Sequence, residues 1–188
     1  MQKGLLDMSK ALMLFADGFE TVEALMTVDI LRRGGVDVTM ASIYDSLEVT
    51  SAQDIIIKTD SMLKHENIME YDAIILPGGQ PGTTNLGQSP DVKLAVMAMN
   101  GVKKWVCAIC AAPTVFGQYG ILDGKNACCY PGLEESLTGA KVVYDPVCVD
   151  GNIITSRGLG TSLDFALTIL EKLVNVAKAG VIRKSVVA

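Results

Sequence analysis

Histidine, tryptophan and positive charge are what this 188-residue chain has least of. Its one histidine, His65, lies in the polar run Lys64-His65-Glu66-Asn67, which reads as a solvated helix face. Activation of a nucleophile by imidazole, as in papain-like or amidotransferase-like triads, is therefore disfavoured. Sixteen Lys and Arg face 21 Asp and Glu, a formal charge of -5. That balance gives no electrostatic reason to expect nucleic acid or an anionic membrane as partner. No apolar run approaches bilayer length, and Met1–Asp7 lacks the charged-then-apolar order of a secretory signal, so a cytoplasmic location is expected. Gly78-Gly79-Gln-Pro-Gly82 and Gly158-Leu-Gly160 fall short of a dinucleotide fingerprint, and no Walker lysine motif occurs. Repeats, low-complexity tracts and linkers are missing too, which leaves no place for a domain boundary.

What is present is aliphatic. The hydrophobic share is 49% against 5% aromatics, enough for one sizeable core. A second methionine, Met8, precedes a convincing first strand. Residues 1–8 therefore read as an N-terminal extension, expected to be disordered or of cloning origin, and 9–188 as a single domain. Five cysteines at irregular spacing imply reduced thiols rather than a disulfide framework. Nine methionines suit adaptable core filling.

Strand and helix signals alternate, the pattern of a mostly parallel sheet with helices on its faces. Ala11–Ala16, Ala73–Leu76 and Trp105–Ile109 are continuous apolar runs, expected of strands buried on both sides. Val36–Ile43 alternates as a second strand, and Ile55–Ile57, Asn126–Cys129 and Lys141–Tyr144 read as shorter ones. Val147–Ile154 is a hairpin with Asp150-Gly151 at its turn. Helices are predicted over Glu20–Arg33, Leu63–Met69, Thr83–Leu86, Asp91–Met99, Pro113–Tyr119 and Thr161–Ala177. The first has arginines in its last turn and Gly34-Gly35 just beyond, so dipole and stop signals agree.

The chemistry concentrates at Ala108-Ile-Cys110-Ala-Ala-Pro113. Proline favours the first helical position, so the helix starts within a residue or two of the strand's end and Cys110 occupies a sharp elbow. Free N–H groups at that helix start are expected to favour thiolate over thiol. Cys107, Cys128, Cys129 and Cys148 read instead as structural thiols in strand-like surroundings. Cys107 and Cys110 have redox spacing, but Cys107 is still within the strand, and zinc held by Cys107, Cys110, Cys128 and Cys129 lacks paired-knuckle spacing. Neither metal nor cofactor is expected. Glu23 projects along a face with Met26, Thr27 and Ile30, where desolvation would raise its pKa and leave it protonated beside a thiolate. Glu20 better fits the helix-start acid. Pro77-Gly78-Gly79 ends a buried strand, where open α/β sheets place ligands.

Together, Gly18-Phe-Glu-Thr-Val-Glu23-Ala, Val28–Gly35, Ile75-Leu-Pro-Gly-Gly79, Ala108–Thr114 and Thr155–Ser162 resemble the ThiJ/PfpI superfamily, near its parkinsonism-linked deglycase branch. The resemblance runs from about Ser9 to Ala177. It implies an α/β, flavodoxin-like three-layer sandwich with a mostly parallel central sheet and helices on both faces, commonly a homodimer, without obligatory cofactor. It also implies Cys110 as nucleophile, Glu23 as the protonated acid beside it, and the backbone amides of Gly79 and Ala111 as oxyanion-binding groups. Where many relatives place a histidine near the nucleophile, this chain has Tyr130 before Pro131, which weakens protease or amidase chemistry.

The leading expectation is an enzyme acting on small aldehydes or glycated substrates, of glyoxalase III or protein deglycase type. The alternative is an oxidation-sensing or chaperone-like stress-response protein that uses Cys110 without significant turnover.

Overall fold

The computed structural model describes residues 8–188. The extension expected at residues 1–8 lies outside the described residues but for Met8. In chain order the elements are β1 (Lys10–Phe15), α1 (Thr21–Arg33), β2 (Asp37–Ser42), β3 (Glu48–Thr50), β4 (Ile56–Lys58), β5 (Ser61–Met62), β6 (Ala73–Leu76) and α2 (Gly82–Gln88). They continue with α3 (Pro90–Gly101), β7 (Trp105–Ile109), α4 (Pro113–Gln118), β8 (Asn126–Ala127), β9 (Lys141–Val142), β10 (Val147–Asp150), β11 (Ile153–Ser156), α5 (Ser162–Leu173) and α6 (Val176–Ser185).

Seven strands form the main sheet in the order β10-β11-β7-β6-β1-β2-β5, parallel except for β10, which returns antiparallel on β11. The apolar runs sit where burial on both faces demands them. Along β1, Ala11, Met13 and Phe15 join a core with α1, α5 and α6, while Leu12 and Leu14 join one with α2, α3 and α4. This is the three-layer, flavodoxin-like sandwich anticipated from the sequence.

Helix α1 starts on Glu20, whose carboxylate accepts from the Val22 N–H, and stops at Gly34, with Gly35 in left-handed backbone at φ 84°. A Cβ at Gly34 would come 2.2 Å from Leu170 Cδ1, so the absence of a side chain there lets α1 lie against α5.

Several expected elements differ. Leu63–Met69 is not one helix but two 3₁₀ turns, Leu63–His65 and Ile68–Glu70, because Asn67 breaks the run and caps the second turn by accepting from the Met69 N–H. The helix expected to close at Ala177 is two: α5 ends at Leu173, and Asn175 caps α6 by accepting from the Lys178 N–H. The hairpin turns at Gly151-Asn152, since Asp150 pairs with Ile153 and its carboxylate accepts from the Asn126 N–H. The expected strands near 126 and 141 shorten to β8 and β9, which pair with each other outside the main sheet, and β3–β4 form a further small ladder.

Candidate functional site

Three loops at the carboxyl ends of parallel strands meet the amino-terminal turn of α1. This is the end of an open α/β sheet where ligand sites form. Glu23 arrives from α1, Gly78 and Gly79 follow β6, Cys110 and Ala111 follow β7, and Gly158 follows β11.

Cys110 occupies the elbow. Its backbone is left-handed, φ 65°, which is rare for a residue with a side chain. The turn is held from both sides: the Cys110 N–H donates to Ser156 O at 3.0 Å, and Cys110 O accepts from the Tyr130 N–H at 2.8 Å. The sulfur is half-buried. It is hydrogen-bonded to the Glu23 carboxyl and receives the backbone N–H groups of Ala111 and Gly79. The four residues singled out in the sequence thus converge on one atom.

The paired glycines have separate reasons. A Cβ on Gly78 would stand 2.5 Å from Cys110 Cβ and 2.6 Å from Glu23 Oε2, and the Gly78 N–H donates to that Oε2 at 3.0 Å. Gly79, at φ 91°, would drive a Cβ to 2.4 Å from the Glu20 nitrogen. One glycine admits the acid and the sulfur; the other admits the backbone of the Gly18–Glu20 loop.

Glu23 is 1% exposed. Burial raises its carboxyl to about 7, against the lowering effect of the hydrogen bonds from Cys110 and Gly78. The expected protonated acid therefore has a physical basis. The expectation of a readily ionised thiol does not hold in the resting site. Burial, followed by repulsion from and hydrogen bonding to Glu23, pushes Cys110 up to about 12, and the Ala111 and Gly79 amides only partly oppose it. Helix α4, Pro113–Gln118, is short, so its amino end supplies little more than the Ala111 N–H just before it. Ionised Glu23 raises the thiol pKa; the protonated acid removes the repulsion and can donate to a thiolate.

Other sequence candidates stay apart. His65 follows β5, with β6, β1 and β2 between it and the Cys110 strand, about 19 Å of sheet width. Cys107 is fully buried within β7, and burial alone raises its pKa. Cys128 and Cys129 are buried and Cys148 is half-buried. Among the described residues, no group of three or more His, Cys, Asp or Glu is placed to hold a metal ion. No described helix is long and apolar enough to cross a membrane.

One contributor, Gly158, lacks a role in the sequence reading, and another, Gly78, figures there only as part of a glycine pair at the ligand end of its strand. Gly78 hydrogen-bonds Glu23, and Gly158 opens the approach to the sulfur: a Cβ there would lie 3.4 Å from Tyr130 Cδ2 and 4.0 Å from Cys110 Sγ. Both stood inside quoted motifs, but their partners are distant in the chain. Tyr130, 51% exposed, walls the same opening.

Relatives carry the same architecture. The chain is 39% identical over 172 residues to Protein DJ-1 homolog B of Arabidopsis thaliana, spanning 90% of itself and 39% of that longer protein. It is 38% identical over 178 residues to Parkinson disease protein 7 homolog of Danio rerio, covering 93% and 94% of the two chains. Glutathione-independent glyoxalase DJR-1.2 of Caenorhabditis elegans is 34% identical over 167 residues, 88% of each chain. The crystal structure of Drosophila melanogaster DJ-1beta superposes with a TM-score of 0.94 at 34% identity over 97% of this chain and 99% of that one. The family model described as DJ-1/PfpI matches residues 9–172, from the first strand into the last turn of α5, and the chain belongs to the DJ-1/PfpI family.

Proposed function

We propose that this protein is a cofactor-independent enzyme that converts small reactive dicarbonyls through Cys110 and Glu23. The observation that carries the reading is the hydrogen-bonded pair itself: a half-buried sulfur joined to a buried carboxyl whose pKa is raised to about 7. A relative named as a glutathione-independent glyoxalase supports the substrate class.

The sulfur adds to the aldehyde carbon of methylglyoxal, its proton passing to the aldehyde oxygen, and forms a hemithioacetal. Glu23 then takes the proton from that carbon and returns it to the neighbouring carbonyl carbon, while the oxygens exchange the remaining proton, leaving a thioester of lactate. Water attacks the thioester, releasing lactate and restoring the thiol. The N–H groups of Gly79 and Ala111, which converge on the sulfur, stabilise negative charge on the substrate oxygen beside it. A carboxyl with a pKa near neutrality is suited to accept and return a proton. Burial, with the Glu23 carboxyl second, keeps the thiol protonated in the resting enzyme, which lowers its reaction with stray electrophiles.

The test is lactate formation from methylglyoxal by purified protein without added thiol. Turnover well above that of Cys110→Ala supports the reading, and equal rates overturn it. The sensing alternative rests on the same two amides, which could hold a sulfinate oxygen at Cys110. Peroxide titration with intact-mass measurement distinguishes it, by selective oxygen addition at Cys110 in a protein that makes no lactate. The homodimer carried by the family resemblance belongs to this proposal, and light scattering of the purified chain tests it.

A further inference from the structure

Cys128 and Cys148 stand apart from the Glu23–Cys110 group and are brought together by the β10–β11 hairpin. Cys148 pairs with Thr155 across the hairpin. Side chains directly opposite one another in an antiparallel pair share a face, with Cβ atoms about 5 Å apart. The segment after β8 crosses that face: the Cys128 N–H donates to Thr155 Oγ1 at 3.0 Å, and the Cys128 sulfur lies 3.6 Å from the same hydroxyl. Further along, the Asn126 N–H donates to the Asp150 carboxylate at 2.9 Å. The two segments therefore run past each other with Asn126 beside Asp150 and Cys128 beside Cys148, near enough that, after burial, charge on Cys128 is the next cause that raises the Cys148 thiol. Cys128 is fully buried, whereas Cys148 is reachable from solvent. Arg157 adds positive charge beside Cys128, and its buried Nε has no acceptor among the described residues.

We propose that Cys128 and Cys148 are an oxidisable dithiol that closes to an intramolecular disulfide under peroxide, independently of Cys110. Cys148, half-buried and with its thiol pushed up to about 11 by burial and by the charges of Cys128, Asp150 and Asp145, is the sulfur that peroxide reaches. Its thiolate fraction attacks one peroxide oxygen, breaking the O–O bond to give a sulfenic acid and hydroxide. Cys128 then attacks the sulfenic sulfur, forming the S–S bond and expelling the second oxygen as hydroxide. With the two thiol protons the products are one disulfide and two waters, and the two electrons leave the sulfurs for peroxide. Arg157 favours the Cys128 thiolate in the second step, against the burial that raises its pKa. The new bond ties the edge strand β10 to the segment that leads into Tyr130, whose N–H holds the Cys110 carbonyl. Oxidation of the dithiol is thus transmitted to one wall of the site.

The experiment titrates wild type and Cys110→Ala with hydrogen peroxide, alkylates remaining thiols and maps cross-linked peptides by mass spectrometry before and after dithiothreitol. A Cys128–Cys148 cross-link that accumulates in both proteins, loses two hydrogens and disappears on reduction is the expected result. Cys148→Val, whose side chain suits an edge strand, should lose it while keeping its circular dichroism spectrum. Recovery of both cysteines as alkylated thiols overturns the proposal. So does pairing of either with another cysteine, or a requirement for Cys110. Lactate formation without oxidant reads the catalytic proposal separately.

Discussion

Strand β7 carries one sulfur inside the sheet and another just past its end, and their surroundings share almost nothing. Cys107 is packed between its neighbours in register, Ile75 and Ile154, with its backbone N–H and C=O committed to the ladder. Cys110, three residues on, keeps a last bond to β11 through its N–H and Ser156 O, then turns away, and its sulfur meets N–H groups that no strand uses. The same side chain is packing material in one place and a candidate nucleophile in the other. The difference lies in what a strand end offers: unpaired amides, a change of backbone direction, and room for an acid from another element.

Exchanging each sulfur for alanine should break the symmetry most widely. Cys110→Ala is expected to lower methylglyoxal turnover by on the order of 10³-fold or more. Cys107→Ala should keep turnover and cost about 1 kcal/mol in a denaturant melt. Comparable activity in the two variants would remove the distinction.

Glu23→Gln comes next, with an expected loss of roughly 10²-fold in turnover. It also tests the charge state. A carboxyl raised from 4.5 in the unfolded chain to about 7 in the fold binds more protons when folded between those values. Its stabilising effect is complete below the unfolded pKa and declines as pH rises through the folded one. The slope corresponds to about 3 kcal/mol at most. Wild type should therefore lose stability from pH 4.5 to 7 relative to Glu23→Gln, read as the difference between their urea midpoints. A difference that does not change with pH would show that Glu23 ionises freely.

A smaller effect is expected from Gly78→Ala, which puts a methyl group against both Cys110 and Glu23. Overpacking of this kind costs about 2 kcal/mol, or roughly 5 °C in Tm for a chain of this size. The displaced pair should also lose turnover; an unchanged melt would mean that the cradle is loose. Tyr130→Phe should do least, within about twofold in turnover, because the contact to Cys110 runs through the tyrosine backbone N–H rather than its hydroxyl. A larger loss would assign the hydroxyl a part in the chemistry.

How much of this was legible in the sequence depends on distance along the chain. Ala11–Ala16, Ala73–Leu76 and Trp105–Ile109 declare themselves as buried strands because burial on two faces leaves an unbroken apolar run. Pro113 places the elbow, and the spacing around Glu23 turns it inward. Asn67 and Asn175 end helical patterns through capping, which periodicity does not register. The short β3–β4 and β8–β9 ladders depend on partners and carry little pattern of their own. The thiol's resistance to ionisation was missed for a similar reason. The elbow is local and readable, but the burial that raises the pKa most comes with the packed fold, and the carboxyl that adds to it comes from α1, through Glu23.

The left-handed backbone at Cys110 carries a consequence for protein engineering. Glycine would occupy that corner more comfortably, by about 1 kcal/mol. A selection for thermal robustness alone should drift toward glycine at this position, giving hardier variants that have lost their sulfur.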